Sequence, residues 1–376
     1  MKKNLCYFFI IILLAGCKPL QQIATPKIYS SGKYLHIDTL AAHLATELSK
    51  NFIKYGFIIR YGLNSSSRVE GLKRTDADAP KTDFALSDRF NPASVTKVIT
   101  ATGVLQLLDK HKYNIDTSIA AFLPTAWVIH PSIRKITFRE LLAHRAGFND
   151  ANVTDTGYTG LQQYIQTGID TAKIGQWLYS NSAFDLCRIL IAYLDGYHDN
   201  SSSDINAETL DRFVQYMQNN IYTPLNITNV RYSPPLNYQT LFYVYPPGTT
   251  HGTDFRDHPS KPGAAGVQLS INELSIFLFN LINTNLLLSA SQKKLMLDED
   301  LGWDNQQVWK TTFPDITRIH SKGGFLPLNN TQGLQLFMQY YENGLLIISM
   351  YNGEESLGNA IGVAYNNSWK YLYRFR

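Results

Sequence analysis

Ser94 and Lys97 have the types and spacing to do covalent chemistry. A serine hydroxyl is a poor nucleophile until a neighbour accepts its proton, and a partly desolvated lysine with a depressed pKa can help do that. Three residues apart on a helix, the two share one face, so the ammonium can reach the hydroxyl. The spacing by itself is common: Ser30/Lys33, Ser132/Lys135 and Ser291/Lys294 repeat it. Ser94 differs in its setting. It follows the turn-like Phe90-Asn91-Pro92 and precedes an apolar run through Val98, Ile99, Val104, Leu105 and Leu108. That places it at an expected helix N-terminus, where N–H groups and the helix dipole stabilise developing negative charge. The chain has no G-x-S-x-G elbow, P-loop, dinucleotide fingerprint or HExxH. His251, Asp254, Asp257 and His258 are metal-compatible in type, but their spacing matches no zinc template and the surroundings read as a loop. No metal or organic cofactor is expected.

The elements that must position this pair are legible in outline. Residues 38–54 carry helical spacing at Leu40, Leu44, Leu48 and Ile53, and 56–62 (GFIIRYG) read as a strand followed by a polar loop. The apolar helix from Ser94 ends near Lys110. From about 115 to 310 the chain reads as helical segments and long loops, with Ser270-Ile271-Asn272-Glu273 a capping box opening a helix through Ile282. Two β-rich runs, 334–341 and 345–351, flank Glu342-Asn343-Gly344, a strong hairpin signal. A last helix is expected over 359–373. Strands at both ends and a helical middle predict an α/β layer built from N- and C-terminal parts, with a helical insertion between them.

Among 376 residues, 44% are hydrophobic, 12% aromatic and 17% charged, which excludes long disorder and permits a large core. Net charge is +4, no dense Lys/Arg block occurs, and no nucleic-acid partner is indicated. The N-terminus reads MKKNLCYFFIIILLAGC: two lysines, a short apolar run and a small-residue ending. Those are signal-peptide proportions, too short for an ordinary membrane span. Leu14-Ala15-Gly16-Cys17 resembles the lipobox of bacterial lipoproteins, which implies cleavage after residue 16, lipid on the Cys17 sulfur and a membrane-anchored envelope protein. Residues 17–35 are then a tether, and 36–376 one domain with its helical subdomain at roughly 115–310. With Cys6 and Cys17 in the leader region, interior Cys187 leaves no disulfide framework.

Taken in order, several blocks resemble the serine β-lactamase and penicillin-binding-protein family, nearest its class C, D,D-peptidase and esterase branch. The blocks are DRFNPASVTKVITATGVLQLLDKHKYNIDTSIAAFLP, ITFRELLAHRAGF (136–148), Tyr179-Ser-Asn181 and GAAGVQLSINELSIF (263–277). The likeness runs from about residue 36 to the end. In the second block Ala146 stands where the branch often has serine. The resemblance implies an antiparallel sheet flanked by helices. It also implies that Tyr179, with Lys97, shuttles the proton of Ser94, and that Asn181 holds the substrate's acyl-side amide. Tyr341/Asn343 and Tyr365/Asn367 repeat the Tyr-x-Asn spacing but lie outside the order of blocks.

His320-Ser321-Lys322-Gly323-Gly324-Phe325 precedes the hairpin, where the family has Lys-Thr-Gly or His-x-Gly on an edge strand. In the preferred register Lys322 binds a substrate carboxylate or steadies Tyr179, and Phe325 N–H joins Ser94 N–H as an oxyanion hole. In the other register Ser321 takes the lysine's place and Gly324 N–H serves the hole, because a one-residue slip reverses the facing of every side chain. His144 is expected to be a hydrogen-bonded structural residue, and Glu140 a helix-surface or structural carboxylate. No equivalent of the class A deacylation glutamate is evident.

The resulting expectation is a lipid-anchored envelope serine hydrolase, acting as a monomer through a Ser94 acyl-enzyme on D-amino-acid peptides, small esters or β-lactam-like amides. A true class C-type β-lactamase and a non-catalytic lipoprotein that binds penicillin or wall fragments are the alternatives.

Overall fold

The computed structural model describes residues 33–152, 157–198, 204–232, 240–255, 262–304 and 318–375. The signal segment, Cys6, Cys17, most of the expected tether, Asp257 and His258 lie outside the described residues. In chain order the elements are β1 (Lys33–Leu35), α1 (Ile37–Leu48), β2 (Phe52–Tyr61), β3 (Asn64–Arg74) and β4 (Thr82–Asp83). Then come α2 (Thr96–Lys110), α3 (Phe138–Leu142), α4 (Tyr158–Thr167), α5 (Asn181–Leu194), α6 (Ile205–Met217), α7 (Ile271–Asn283) and α8 (Ala290–Asp298). The chain closes with β5 (Ile319–Pro327), β6 (Gly333–Tyr341), β7 (Leu345–Gly353), α9 (Leu357–Leu372) and β8 (Tyr373–Phe375).

Six strands form one antiparallel sheet in the order β4-β3-β2-β7-β6-β5. N- and C-terminal strands meet at β2 and β7, and helices α2–α8 lie in the chain between them, the arrangement expected from strands at both ends and a helical middle. Both faces of β2 are covered, so its residues from Ile53 to Ile59 are buried. Tyr55, Phe57 and Ile59 pack with Leu40, Leu44 and Leu48 of α1 and with Ile361 and Tyr365 of α9. Ile58, of opposite parity, joins the larger core with α2 and α7. Each of these fully buried leucines contributes about 1.5–3 kcal/mol.

Three local expectations change. The first helix stops at Leu48, because Asn51 turns the chain at φ +45°, and Ile53 belongs to β2. The polar stretch after β2 is a strand, not a loop: β3 pairs with β2 through eight registered residues from Lys54↔Gly71 to Tyr61↔Asn64. Its side chains are mostly exposed, so backbone pairing forms it without an apolar pattern. The last residues of the expected tether, Lys33–Leu35, pair with Tyr373–Phe375. The capping box at Ser270/Glu273 is present, and the β6–β7 hairpin turns at Gly344 with φ +92°.

Candidate active site

The serine sits on a strained turn. Asn91 Oδ1 accepts from Ala93 N (2.9 Å) and Gly266 N (3.1 Å), while its Nδ2 donates to Phe255 O (3.0 Å). These bonds hold Ala93 at φ +50°, a conformation costly for a residue with a Cβ. A single 3-10 turn, Ala93–Val95, then runs directly into α2. Ser94 is thereby presented at a helix N-terminus, and Lys97, one turn on, lies fully buried beneath it.

Lys97 Nζ donates to Ser94 Oγ (3.1 Å), Asn181 Oδ1 (2.8 Å) and Ala264 O (3.0 Å), so each of its three N–H bonds has an acceptor. Burial holds its pKa below the ordinary lysine value and the Lys322 charge adds to this, against the opposing pull of Tyr179 and Asp185. The Tyr179 hydroxyl donates to Ser94 Oγ at 2.6 Å. Burial pushes the phenol's pKa up, but the charges of Lys97 and Lys322 and the hydrogen bonds to Lys97 and Ser94 outweigh it, and the net direction is down. The two ammonium groups lie 5.0 and 4.7 Å from the Tyr179 ring centroid.

Tyr179 is held from behind. His144, in the left-handed region at φ +56°, stacks on its ring at 4.6 Å and accepts from Ser180 N at 3.1 Å through Nδ1. Desolvation, with Lys322 and Lys97 nearby, keeps this imidazole neutral, its pKa well below the usual value. Asp150 accepts from Ser180 Oγ (2.7 Å), Asn181 N (2.6 Å), Ser182 N (3.1 Å) and Ser182 Oγ (2.7 Å). It fastens the start of α5, and hence Asn181, as a charged cap. Glu140 completes the α3 capping box with Thr137, a structural role.

The third wall is β5, the edge strand. Gly324 approaches the serine turn so closely that a Cβ there would lie 2.4 Å from Pro92 O. Gly323 N–H points away from β6 and donates to Asp304 Oδ2 at 2.8 Å. N–H directions alternate along an antiparallel strand, so Phe325 N–H also points outward, toward the cleft, and Gly324 N–H points into the sheet. Lys322 is fully buried, over Tyr179 and 2.6 Å from Asp304 Oδ1. The outward N–H groups of this strand are thus those of Gly323 and Phe325, and Lys322, expected as a possible ligand of a substrate carboxylate, is instead paired with Asp304.

A cleft of about 650 Å³ opens over the serine, and Ser94, Tyr179, Asn181, Gly323, Gly324 and Phe325 line it. Lys97 and Lys322 lie beneath it, while Cys17 is outside the described residues. Sequence reasoning missed Asp150 and Asp304. Neither has a spacing signal, since each reaches its partners across 30 or 18 residues. Among the described residues the other Ser-x-x-Lys copies do no such work: Ser132 Oγ bonds His130, and Lys294 pairs with Asp298 on the surface of α8, while Ser30 lies outside the described residues. His251 is an exposed partner of Asp78 at 2.9 Å.

Known proteins share this fold. The family model described as Beta-lactamase matches residues 76–366. The chain belongs to the Beta-lactamase family. Its fold and family place it among the serine hydrolases of the β-lactamase and penicillin-binding-protein clan. The chain is similar to a beta-lactamase/D-alanine carboxypeptidase from Pseudomonas syringae, with TM-score 0.66 and 15% identity, over 88% of this chain and 97% of that one. A D-amino acid amidase from Ochrobactrum anthropi superposes with TM-score 0.63 and 15% identity, over 89% and 99%. In sequence, a probable fimbrial assembly protein, FimD of Dichelobacter nodosus serogroup H1, is 32% identical over 110 residues. That match spans 27% of this chain and 28% of that protein.

Proposed function

We propose that the protein is a cell-envelope serine hydrolase that cleaves esters and amides through an acyl group carried on Ser94. The observation that carries the reading is the convergence of Lys97 Nζ and Tyr179 Oη on Ser94 Oγ, at 3.1 and 2.6 Å. As Oγ bonds to the substrate carbonyl carbon, its proton passes to the Tyr179/Lys97 pair. The carbonyl oxygen takes up negative charge between the N–H groups of Ser94 and Phe325. Collapse of this intermediate breaks the bond to the leaving group, which receives the proton from Tyr179. Water, deprotonated by the same pair, then releases the acid and restores Ser94. Asn181, held by Lys97 and by Asp150, faces the acyl portion. The similar D-amino acid amidase acts, by its name, on an amide, a carbonyl substrate of the kind proposed here.

The test uses a chromogenic short-chain ester with wild type and Ser94→Ala. The expected outcome is a loss of about a thousandfold or more in kcat/KM for the variant, and a trapped acyl adduct on the Ser94 peptide in wild type alone. Turnover independent of Ser94, or none at all, overturns the proposal. An adduct that forms and never releases identifies a binding protein instead of a hydrolase.

A further inference from the structure

Among the described residues lining the cleft, the charged side chain is a carboxylate, Asp304. It follows Trp303, whose ring is buried, and it lies against the outer edge of β5. Its own N–H donates to Ser321 O at 2.9 Å, and its two carboxylate oxygens take Lys322 Nζ at 2.6 Å and Gly323 N at 2.8 Å. The ammonium and the outward N–H that could receive an anionic substrate group are therefore already engaged, by the protein's own anion. Lys322 has no exposed surface, whereas the Asp304 side chain is 30% exposed. An entering molecule meets the carboxylate, not the ammonium. The neighbouring position adds no donor. Residue 323 is a glycine, and the space a Cβ would take there lies 3.1 Å from the Phe337 ring.

This end of the cleft adjoins Tyr179, whose ring lies under Lys322. On the proposed mechanism Tyr179 protonates the departing atom, so Asp304 faces the leaving group. We propose that Asp304 determines leaving-group specificity: it excludes esters and amides whose leaving group bears a free carboxylate and admits the same compounds in uncharged form. Like charges brought together in a partly desolvated cleft repel, and the repulsion at a 30% exposed carboxylate weakens with added salt.

The inference rests on Ser94 chemistry, so its test measures both. Two aryl acetates of equal size serve as probes, 3-carboxyphenyl acetate and 3-carbamoylphenyl acetate. Wild type is expected to prefer the carbamoyl ester by at least about tenfold in kcat/KM, a ratio that narrows between low salt and about 1 M salt. Asp304→Asn is expected to bring the ratio to within about threefold, and Asp304→Glu to restore it. A wild-type ratio near one, or a ratio that survives in Asp304→Asn, sinks the specificity role and leaves the hydrolase reading standing. No Ser94-dependent hydrolysis of either ester sinks both. Should the asparagine variant fail to fold, the wild-type ratio and its salt dependence decide alone.

Discussion

Tyr179 owes its usefulness to two positive charges it does not touch covalently. Burial alone would make it a poorer acid than free tyrosine, and the nearby Lys97 and Lys322 reverse that direction. Removing Lys322 therefore has a definite sign. In Lys322→Met the phenol's pKa rises, and that of Lys97 rises too, since the Lys322 charge is one of the causes depressing it. If deprotonated Tyr179 is the base, the rising limb of the pH profile of kcat/KM should move to higher pH. At neutral pH the rate should fall about 10–100-fold. A profile that keeps its rising limb while losing amplitude would show that Lys322 acts only by positioning. The same residues mark what can be read from a sequence. Ser94 and Lys97 are legible because spacing and helix start lie in one short segment. Asp150 and Asp304 are not, because their partners are brought to them only by folding.

At the scale of elements, the site is the meeting of three pieces: the turn into α2, the turn into α5, and the edge of β5. The β6–β7 hairpin and the helix opening at Ser270 were readable because turn and cap chemistry is local. Strand β3 was not, because a solvent-facing strand held by backbone pairing to β2 need not alternate apolar and polar residues. Gly324 shows how closely two elements can depend on one residue, since only a missing side chain lets β5 reach Pro92 O. The N-terminal segment is an element of another kind. β1 ties residue 33 to the C-terminal strand, leaving fifteen residues, 18–32, between it and Cys17. Fully extended, they reach at most about 55 Å, so a lipid on Cys17 would keep the domain beside a membrane. Cys17→Ser is expected to move the protein from the membrane fraction to the soluble fraction, with Ser94-dependent esterase activity intact. Unchanged membrane retention would count against a lipid at that residue.

For the molecule as a whole, a further fully buried lysine lies outside the active site. Lys54, in β2, is fully buried, donates to Leu241 O at 2.5 Å and lies 4.8 and 5.3 Å from the Phe242 and Tyr243 ring centroids. It pins the 240–245 segment to the sheet, and Asn352 does the same from β7, bonding Tyr243 N and O at 3.1 and 2.8 Å. Desolvation lowers its pKa from 10.5 to about 7, against a smaller opposing pull from Asp88. In the unfolded chain the amine stays protonated up to about pH 10.4. Between these values the unfolded state binds more protons, so stability rises with pH through the window and the full penalty applies below pH 7. The span corresponds to on the order of 4–5 kcal/mol. Lys54→Met removes the titration and leaves Leu241 O without its buried donor, which costs about 1–3 kcal/mol at every pH. The expected result is a variant at least as stable as wild type near pH 6 that loses ground steadily as pH climbs toward 10. Chemical denaturation of both proteins across that range measures the difference directly. A constant difference from pH 6 to 10 would mean that Lys54 keeps one protonation state throughout, and that Leu241 O and the two rings solvate a buried cation as well as water does.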